Sequence, residues 1–151
     1  MNALARNFAQ NMQLESPMEF GKSFAYTKVY FSTINGECVT IENYIEGETF
    51  EKYINNDSLV CGDDVGDISL KSETFAHYTY ERSNKQLIVL DLQGIGYNLC
   101  DPEIASAHLR VGDETSPILF CYGNLHETAI NNFVTNHCCN KFCRFLQLPD
   151  M

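Results

Sequence analysis

The chain has 151 residues, enough for one domain that buries roughly 70% of the surface its unfolded chain would expose. Hydrophobic residues make up 44% of it and aromatic residues 12%, which excludes an intrinsically disordered protein and is typical of a globular one. The net charge is −10, from 20 acidic and 10 basic residues, and this argues against nucleic acid or an anionic membrane surface as the main partner.

The sequence also indicates a cellular compartment. No apolar run approaches the length that spans a membrane, and the first residues lack the apolar core of a secretory signal. We therefore expect a cytosolic chain, or the cytosolic part of a larger protein, without direct membrane contact. In that compartment the 7 cysteines are expected to be thiols or metal ligands and not disulfides.

The first third predicts a helix followed by an antiparallel hairpin. Residues 3–12 carry apolar side chains at helical spacing, and residues 15–21 form a loop that contains proline and glycine. Residues 24–33 are rich in β-branched and aromatic side chains, which favours a strand. The Asn35-Gly36 dipeptide is a strong hairpin signal, so residues 37–45 are predicted to return as the second strand.

The rest of the chain predicts alternating helices, strands and loops, and the whole gives an α+β fold. Residues 46–67 contain glycines and acidic side chains and predict a loop or crossover, and Ser72 is the candidate N-cap of the next helix. The remaining predicted elements are a helix over 72–81, a buried strand from 87, a short helix over 101–108, a polar loop over 112–117 and a final helix over 128–146.

Acidic and amide side chains follow the buried strand. The apolar run of residues 87–90 leads to Asp91 and Gln93, which lie two apart and so would share one face of an extended strand. A carboxylate at the end of a buried strand needs a cation, a donor or open water beside it. Asp101 follows after two glycines. Two carboxylates and an amide on a strand and its loop suit the binding of Mg²⁺ and a phosphate.

Each of these carboxylates also has a purely structural interpretation. Asp101, Pro102 and Glu103 match an ordinary helix start, with Asp as the N-cap, Pro at the first helical position and Glu in the first turn. Asp91 could be satisfied by backbone N–H groups at the end of its strand. Judged residue by residue, this interpretation is the more common one.

The second informative stretch is HCCNKFC at residues 137–143. Cys139 and Cys143 are four apart and would share one face of a helix, and His137 lies two residues before Cys139. Histidine and cysteine are the usual ligands of tetrahedral zinc, so these three residues can supply three of its four ligands.

The spacing does not identify the fourth zinc ligand. His77 lies among aromatic residues of a predicted helix, where a histidine without a partner has little reason to be. The cysteines could also be small buried thiols of the core. The candidates for the fourth ligand are His77, His108, His126, Cys100, Cys121 and Cys138.

Taken together and in order, these segments resemble the C-terminal two-thirds of an α-kinase catalytic domain. This is the family of atypical serine/threonine kinases that includes the melastatin channel kinases, and the resemblance is greatest to that branch and covers about residues 8–150. The segments that carry it are IEGE at 45–48 with Lys52-Tyr53, FAHYTY at 75–80, VLDLQG at 89–94, LCDP at 99–102, GNL at 123–125, and residues 137–149.

The resemblance implies roles for individual residues. Asp91 would be the catalytic aspartate that orients or deprotonates the substrate hydroxyl, and Gln93 and Asp101 would hold Mg²⁺ and the phosphates of ATP. Glu42 falls where the family's hinge glutamate contacts adenine. The nucleotide-binding set would further include Gly123 and Asn124.

The resemblance also implies the ligands of a structural zinc and a division of the chain. His77 falls on the family's remote zinc ligand and would complete the set with His137, Cys139 and Cys143. Residues 1–56 would be a remnant of the N-terminal lobe with the hinge, and residues 57–151 the C-terminal lobe with the zinc site.

Three departures from the family pattern stand out. The segment that carries the ATP-gripping lysine would precede residue 3, and neither Lys22 nor Lys28 matches its position. In the glycine-rich loop near the C-terminus, Cys121 and His126 stand where the family usually has glycine. Residues 47–50 contain an apparent insertion of one residue.

We therefore expect an α-type kinase domain that transfers phosphate from ATP to serine or threonine of a protein substrate, truncated and weak or inactive alone. The alternative is a zinc-stabilised pseudokinase, or a regulatory module that binds a protein partner. An incomplete N-terminal lobe would expose apolar surface on the hairpin, so we expect a homodimer or docking of the missing lobe.

Overall fold

The computed structural model describes residues 1–61, 66–107, 120–121 and 123–151. In chain order the elements are α1 (Asn2–Glu15), a 3₁₀ turn (Met18–Phe20), β1 (Ala25–Tyr26), β2 (Val29–Ile34), β3 (Glu37–Glu42), β4 (Glu51–Ile54), α2 (Asp67–Arg82), β5 (Leu87–Leu90), β6 (Leu92–Ile95), β7 (Asn98–Cys100), β8 (Glu103–Ser106), α3 (His126–Asn136) and α4 (Lys141–Phe145).

The predicted first helix and hairpin are confirmed. Helix α1 is longer than predicted, and it buries the apolar side chains whose spacing indicated a helix. Strands β2 and β3 pair antiparallel around Asn35-Gly36, and both turn residues have positive φ, as a tight hairpin turn requires. The apolar surface expected on this hairpin is also present. Its exposed side chains are Tyr30, Phe31, Ile34 and Ile41.

The single strand predicted over 24–33 is wrong, because this segment pairs with two different neighbours. Strand β1 runs parallel to β7, whereas β2 pairs with β3. The chain changes partner at Thr27, whose backbone N–H still donates to the carbonyl of Leu99 at 3.0 Å. The loop predicted over 46–67 is also wrong in part, since it contains β4, which pairs antiparallel with β6.

Helix α2 is confirmed, but it begins at Asp67 and not at Ser72. Asp67 places a negative charge in the first turn, where the helix dipole favours it. Ser72 lies inside the helix, and its hydroxyl donates to the carbonyl of Ser69 at 2.6 Å. The helix packs on β5, and the Thr79 hydroxyl accepts the backbone N–H of Val89 at 3.0 Å.

The helix predicted over 101–108 is wrong within the described residues. Residues Glu103–Ser106 form β8, which pairs antiparallel with the fully buried β5. The sequence pattern of a helix start is local, and backbone pairing with a buried strand overrides it. Residue 108 and the loop predicted over 112–117 lie outside the described residues.

The final helix is interrupted, unlike the prediction over 128–146. Helix α3 ends at Asn136, His137 is extended with φ −68° and ψ 129°, and α4 begins at Lys141. Asn140 caps α4, because its side-chain oxygen accepts the backbone N–H of Phe142 at 2.8 Å. Its amide group also donates to the carbonyl of Leu70 in α2 at 2.9 Å, which fixes α4 to α2.

The largest sheet has the strand order β1-β7-β6-β4, and separate pairs are formed by β2 with β3 and by β5 with β8. This sheet joins strands that precede residue 56 to strands that follow it. The division of the chain into two lobes at residue 56 stays a prediction. Among the described residues no helix is both long and apolar enough to cross a membrane.

Candidate active site and metal centre

Asp91 lies between β5 and β6 in a backbone conformation that few residues adopt. Its φ is 52°. The extended strand that the sequence predicts through Asp91 is therefore interrupted at this residue. Asp101 follows β7 with φ 44°. Both carboxylates therefore stand at left-handed bends, which Asp tolerates better than most residues and which often occur at functional sites.

Asp91 forms a close ion pair with Lys52. The Lys52 Nζ lies 2.7 Å from Asp91 Oδ1, and the side chains are 42% and 13% exposed. The hydrogen bond to Asp91 raises the pKa of Lys52, so this side chain is a cation at neutral pH. Because Lys52 lies opposite Gln93 in the pairing of β4 with β6, its position is fixed by the sheet.

Gln93 completes the surroundings of Asp91. Its Nε2 donates to Asp91 Oδ2 at 2.8 Å, so the predicted juxtaposition of these two side chains is present. Gln93 pairs with Cys100, the residue directly before Asp101. Asp101 follows directly after the last residue of β7 and is exposed to solvent.

A cavity of about 440 Å³ borders the hairpin of β6 and β7, which contributes Ile95 and Cys100 to its lining. Its volume falls in the range of small-molecule sites. Glu42, the predicted adenine contact, lines this cavity, and its Oε2 accepts the hydroxyl of Thr27 at 2.9 Å. The complete lining is Glu42, Asn43, Tyr44, Ile45, Gly47, Glu48, Phe50, Ile95 and Cys100.

Gly123 and Asn124 lie elsewhere, on a loop beside β8. The Asn124 side chain is buried and bonds to Ser106, so only its backbone remains available to a nucleotide. At the two positions where the family usually has glycine, Cys121 bonds to β8 and His126 adopts a φ of 53°. The roles predicted for Gly123 and Asn124 stay predictions.

The four predicted zinc ligands come together in the C-terminal part of the chain. One ligand atom from each of His77, His137, Cys139 and Cys143 lies within 4.8 Å of the others. Cys143 Sγ is 3.6 Å from His137 Nε2, and Cys139 Sγ is 3.8 Å from His77 Nδ1. Such separations suit a tetrahedral metal with nitrogen and sulfur ligands, so the residues fit a metal ion.

The helical argument behind this cluster is wrong, although the cluster is present. Cys139 lies in the segment between α3 and α4, and not one turn before Cys143 on a shared helix. The break in the helix turns His137 and Cys139 towards His77 in α2. The candidates His126, Cys100, Cys121 and Cys138 are not in the cluster, and His108 lies outside the described residues.

The electrostatics of the cluster favour a metal-binding thiolate. Burial opposes ionisation of Cys143, but hydrogen bonds to His137, His77 and Thr74 outweigh it and lower the pKa of the thiol to about 6. His137 Nδ1 lies 3.5 Å from Glu73 Oε2. A carboxylate on the second ring nitrogen is the usual support of a metal-bound histidine.

Two residues of these sites, Lys52 and Glu73, were not predicted from the sequence. Lys52 was part of a matching segment but received no role, because its surroundings predicted a loop and not β4. Glu73 was missed because its partner His137 is 64 positions away in the chain. For Glu73 a signal was available, since it lies one helical turn before His77 and so on the same face of α2.

Comparisons with known proteins identify the family of this chain. The sequence model of the Alpha-kinase family matches residues 1–143. Transient receptor potential cation channel subfamily M member 6 of Homo sapiens is 40% identical over 126 residues, which are 82% of this chain and 6% of that protein. Eukaryotic elongation factor 2 kinase of Homo sapiens is 38% identical over 108 residues, 72% of this chain and 13% of that protein.

A solved structure shares the fold. It is the inactive alpha-kinase domain of myosin heavy chain kinase A in complex with ATP, with a TM-score of 0.75 and 27% identity, and the match covers 99% of this chain. The chain spans only 56% of that domain and a small part of the two relatives. On the family match and the shared fold, the chain belongs to the Alpha-kinase family.

Proposed function

We propose that this chain carries the phosphotransfer site of a serine/threonine protein kinase that uses Mg-ATP. The observation that supports this best is the arrangement around Asp91, with a lysine and a glutamine on its two oxygens. The hairpin that carries Gln93 also lines the adjacent cavity with Ile95 and Cys100. A nucleotide in this cavity would therefore meet the residues that handle its phosphates.

In the proposed reaction the hydroxyl oxygen of serine or threonine bonds to the γ-phosphorus, and the bond from that phosphorus to the bridging oxygen of ADP breaks. Asp91 orients the hydroxyl and accepts its proton, and Lys52 neutralises phosphate charge. Gln93 and Asp101 would hold Mg²⁺ through their side-chain oxygens, and the bound ion would spread the charge of the phosphates. Catalysis of this kind depends mostly on positioning and charge neutralisation.

Glu42 is the residue that we assign to adenine recognition, because it lies on the cavity at the end of β3. The solved domain of myosin heavy chain kinase A is a complex with ATP. By resemblance, Gly123 and Asn124 would contribute through their backbone. Neither Lys22 nor Lys28 matches the family's ATP-gripping lysine, so we expect the transfer by residues 1–151 alone to be slow.

We assign the cluster of His77, His137, Cys139 and Cys143 to a structural Zn²⁺. Four ligands from the protein leave no open position, which is the pattern of structural and not catalytic zinc. Zinc supplies a redox-inert link between ligands. Through it these side chains would tie α2 to the segment before α4. The two cysteine ligands must stay reduced to bind the metal, which suits a reducing compartment such as the cytosol.

The test is ATP-dependent phosphate transfer to a serine-containing acceptor protein by the zinc-loaded chain, compared with Asp91→Asn. We expect a slow transfer that the substitution reduces at least about a hundredfold. Asp150→Asn, at an exposed carboxylate near the C-terminus, is the control and should transfer like the wild type. Equal transfer by wild type and Asp91→Asn would contradict the assignment of Asp91.

A second candidate function is a zinc-stabilised module that binds a protein partner. The exposed apolar side chains of the β2–β3 hairpin favour it, because such surface usually marks a contact. Under this alternative the folded, zinc-loaded chain would show no transfer with any acceptor. It would also show no binding of Mg-ATP in a titration calorimeter.

A further inference from the structure

A buried lysine in α2 carries a charge that belongs neither to the Asp91 site nor to the cluster of metal-ligand side chains. Lys71 is only 4% exposed. Its Nζ donates to the carbonyl of Lys22 at 2.7 Å and to the hydroxyl of Tyr97 at 3.4 Å. Both of these partners are neutral, whereas a buried ammonium group is usually paired with a carboxylate. The burial of this cation therefore needs an explanation.

Three aromatic rings surround the ammonium group of Lys71. Its Nζ lies 5.1 Å from the ring centre of Phe20, 5.0 Å from that of Tyr97 and 4.9 Å from that of Phe142. At such distances the negative face of a ring attracts a cation, and the attraction grows where water is excluded. These three rings, which we call the Lys71 cage, thus offer the cation the attraction that a carboxylate would otherwise supply.

The Lys71 cage joins four elements that are distant in the sequence. Lys71 belongs to α2, and Phe20 ends the 3₁₀ turn that follows α1. Phe142 belongs to α4 and directly precedes Cys143, one of the four metal-ligand residues. Tyr97 lies in the short turn between β6 and β7. One side chain thus holds the tip of the β6–β7 hairpin against both α2 and α4.

The same hairpin carries residues that we assign to the magnesium ion and the nucleotide. Gln93 lies in β6, Asp101 directly follows β7, and Ile95 lines the 440 Å³ cavity. The two strands have only 4 and 3 residues, so a movement of the turn is transmitted to both of their outer ends. The position of the turn therefore affects where Gln93 and Asp101 lie relative to Asp91.

Stability alone would favour an apolar side chain at position 71, because it fills the same space without the cost of desolvating a charge. Burial lowers the pKa of Lys71, and the Asp67 carboxylate one turn earlier opposes this effect. An apolar side chain, however, forms no directed contact with the turn. We propose that Lys71 is a positioning residue, which holds Tyr97 and with it the β6–β7 hairpin in the geometry that phosphate transfer needs. This inference rests on the proposed phosphotransfer function.

The test is steady-state phosphate transfer by Lys71→Met, which keeps most of the side-chain length and removes the charge. We expect kcat to fall about tenfold, because the hairpin no longer holds Gln93 and Asp101 in one position. KM for the acceptor protein should not change, since the buried Lys71 is out of its reach. Lys28→Met is the matched control, because Lys28 Nζ lies 4.4 Å from the ring of Tyr30 in the exposed β2–β3 hairpin. It breaks a pair of the same kind and should change neither constant.

Tyr97→Leu tests the same contact from the other side. It removes the ring and the hydroxyl and should lower kcat about as much as Lys71→Met does. The double variant should be no slower than either single variant, because both substitutions break one contact. A wild-type kcat in either folded single variant would overturn the inference, and so would a double variant whose defect is the product of the two. If thermal unfolding shows that Lys71→Met is unfolded, kcat of Tyr97→Leu decides.

A fluorescence measurement without turnover separates this inference from the proposed function. The chain has no tryptophan, so Tyr97→Trp introduces one whose emission reports on the turn alone, and indole keeps the contact with the cation. In this background Lys71→Met should raise the acrylamide quenching constant about twofold, because the freed turn opens to solvent, whereas Lys28→Met should not. If the wild type transfers no phosphate, the proposed function fails, and this pattern would still support the hold of Lys71 on the turn. Equal quenching of all three proteins would contradict it.

Discussion

The His/Cys cluster and the Asp91 site are built in opposite ways. The cluster lies in the interior, and its four ligands come from α2 and from the segment around α4. The Asp91 site lies at the surface, where Lys52 is 42% exposed and Asp101 faces solvent. The first brings four metal-ligand side chains together, whereas the second joins a carboxylate to a lysine and an amide at the edge of a sheet.

This difference separates stability from activity. A closed metal site contributes its binding energy to folding, since the unfolded chain has no preformed site. An open site with ionised groups at bends of the backbone adds little to folding and is kept for its chemistry. Substitutions in the cluster should therefore lower the stability of the fold, whereas substitutions at the Asp91 site should lower phosphate transfer. The following predictions test this separation.

The largest effect is expected from Cys143→Ala in the cluster. Cys143 is fully buried and contacts the ligand His137 and the Thr74 hydroxyl. Its loss removes one metal ligand and leaves a cavity, so the free energy of unfolding should fall by about 3 kcal/mol or more. Zinc content and thermal unfolding measure this, and phosphate transfer should be lost only because the chain unfolds.

Cys138→Ala is the matched control for the cluster, because Cys138 is an exposed cysteine beside a ligand. Its unfolding free energy should change by less than about 0.5 kcal/mol, with zinc retained. If Cys138→Ala lost zinc as Cys143→Ala does, the assignment of ligands would be wrong. If neither variant lost stability, the cluster would not be a structural metal site.

The next largest effect is expected from Gly94→Ala in the β6–β7 hairpin. A Cβ there would overlap the carbonyl oxygen of Asn98, and φ is 158°. The hairpin between Gln93 and Asp101 must then open, so we expect a loss of about 2 kcal/mol or more in urea unfolding. This prediction sets a limit to the separation of stability from activity, because Gly94 lies beside the Asp91 site and also shapes the hairpin.

Gly36→Ala separates the two causes of that effect. Gly36 has a φ of 84° in the exposed hairpin turn, and nothing lies within 4 Å of the added Cβ. Only the backbone strain remains there, about 1 kcal/mol. If Gly94→Ala were no more destabilising than Gly36→Ala, the close approach of Asn98 would not matter.

Lys52→Met tests the Asp91 site and leaves the His/Cys cluster unchanged. It removes the cation from Asp91 and from the phosphates, and transfer should fall about a hundredfold, equivalent to about 2.7 kcal/mol in the barrier. Zinc content should not change. Lys52→Arg keeps the charge and should retain part of the rate, whereas Lys28→Met should have no effect. Phosphate transfer by Lys52→Met at the wild-type rate would contradict the role assigned to Lys52.

The sequence predicted these two regions to different extents. Asp91, Gln93 and the four cluster residues were found, because each lies in a short segment whose order resembles the family. Lys52 was not, because the glycines and acidic residues around β4 predict a loop, and β4 exists only through its pairing with β6. Such pairing joins positions some 40 residues apart and leaves no local pattern.

Two local patterns were misleading for a related reason. The Asp-Pro-Glu sequence at 101–103 is a good helix start, but β5 offers β8 a complete ladder of backbone partners. The spacing of Cys139 and Cys143 suggested one helix face, but Asn140 caps a new helix between them. In both cases a contact with a distant element decided between two local structures of similar energy.

The smallest effect is expected from Glu15→Gln, which lies outside both regions and gives a reference for them. Glu15 accepts the Tyr78 hydroxyl at 2.8 Å and Arg82 Nη2 at 2.6 Å, and so joins the end of α1 to α2. The Arg82 and Glu15 side chains are 47% and 41% exposed, so solvent screens the ion pair. We expect the free energy of unfolding to fall by less than about 1 kcal/mol.

The pH dependence of this effect identifies its cause. Burial opposes ionisation of Glu15, but the hydrogen bonds from Tyr78 and Arg82 outweigh it and lower its pKa from the ordinary value of 4.5. A lowered pKa means that the folded chain binds this proton more weakly than the unfolded chain does. The stabilisation is therefore complete above the unfolded pKa and is lost as the pH falls through the folded one.

Thermal unfolding of wild type and Glu15→Gln across this range measures the difference directly. The two melting temperatures should differ at neutral pH and converge in acid. Glu19→Gln, at an exposed carboxylate in the next turn, should follow the wild type throughout. A difference that persists in acid would show that Glu15 acts through its hydrogen bonds and not through its charge.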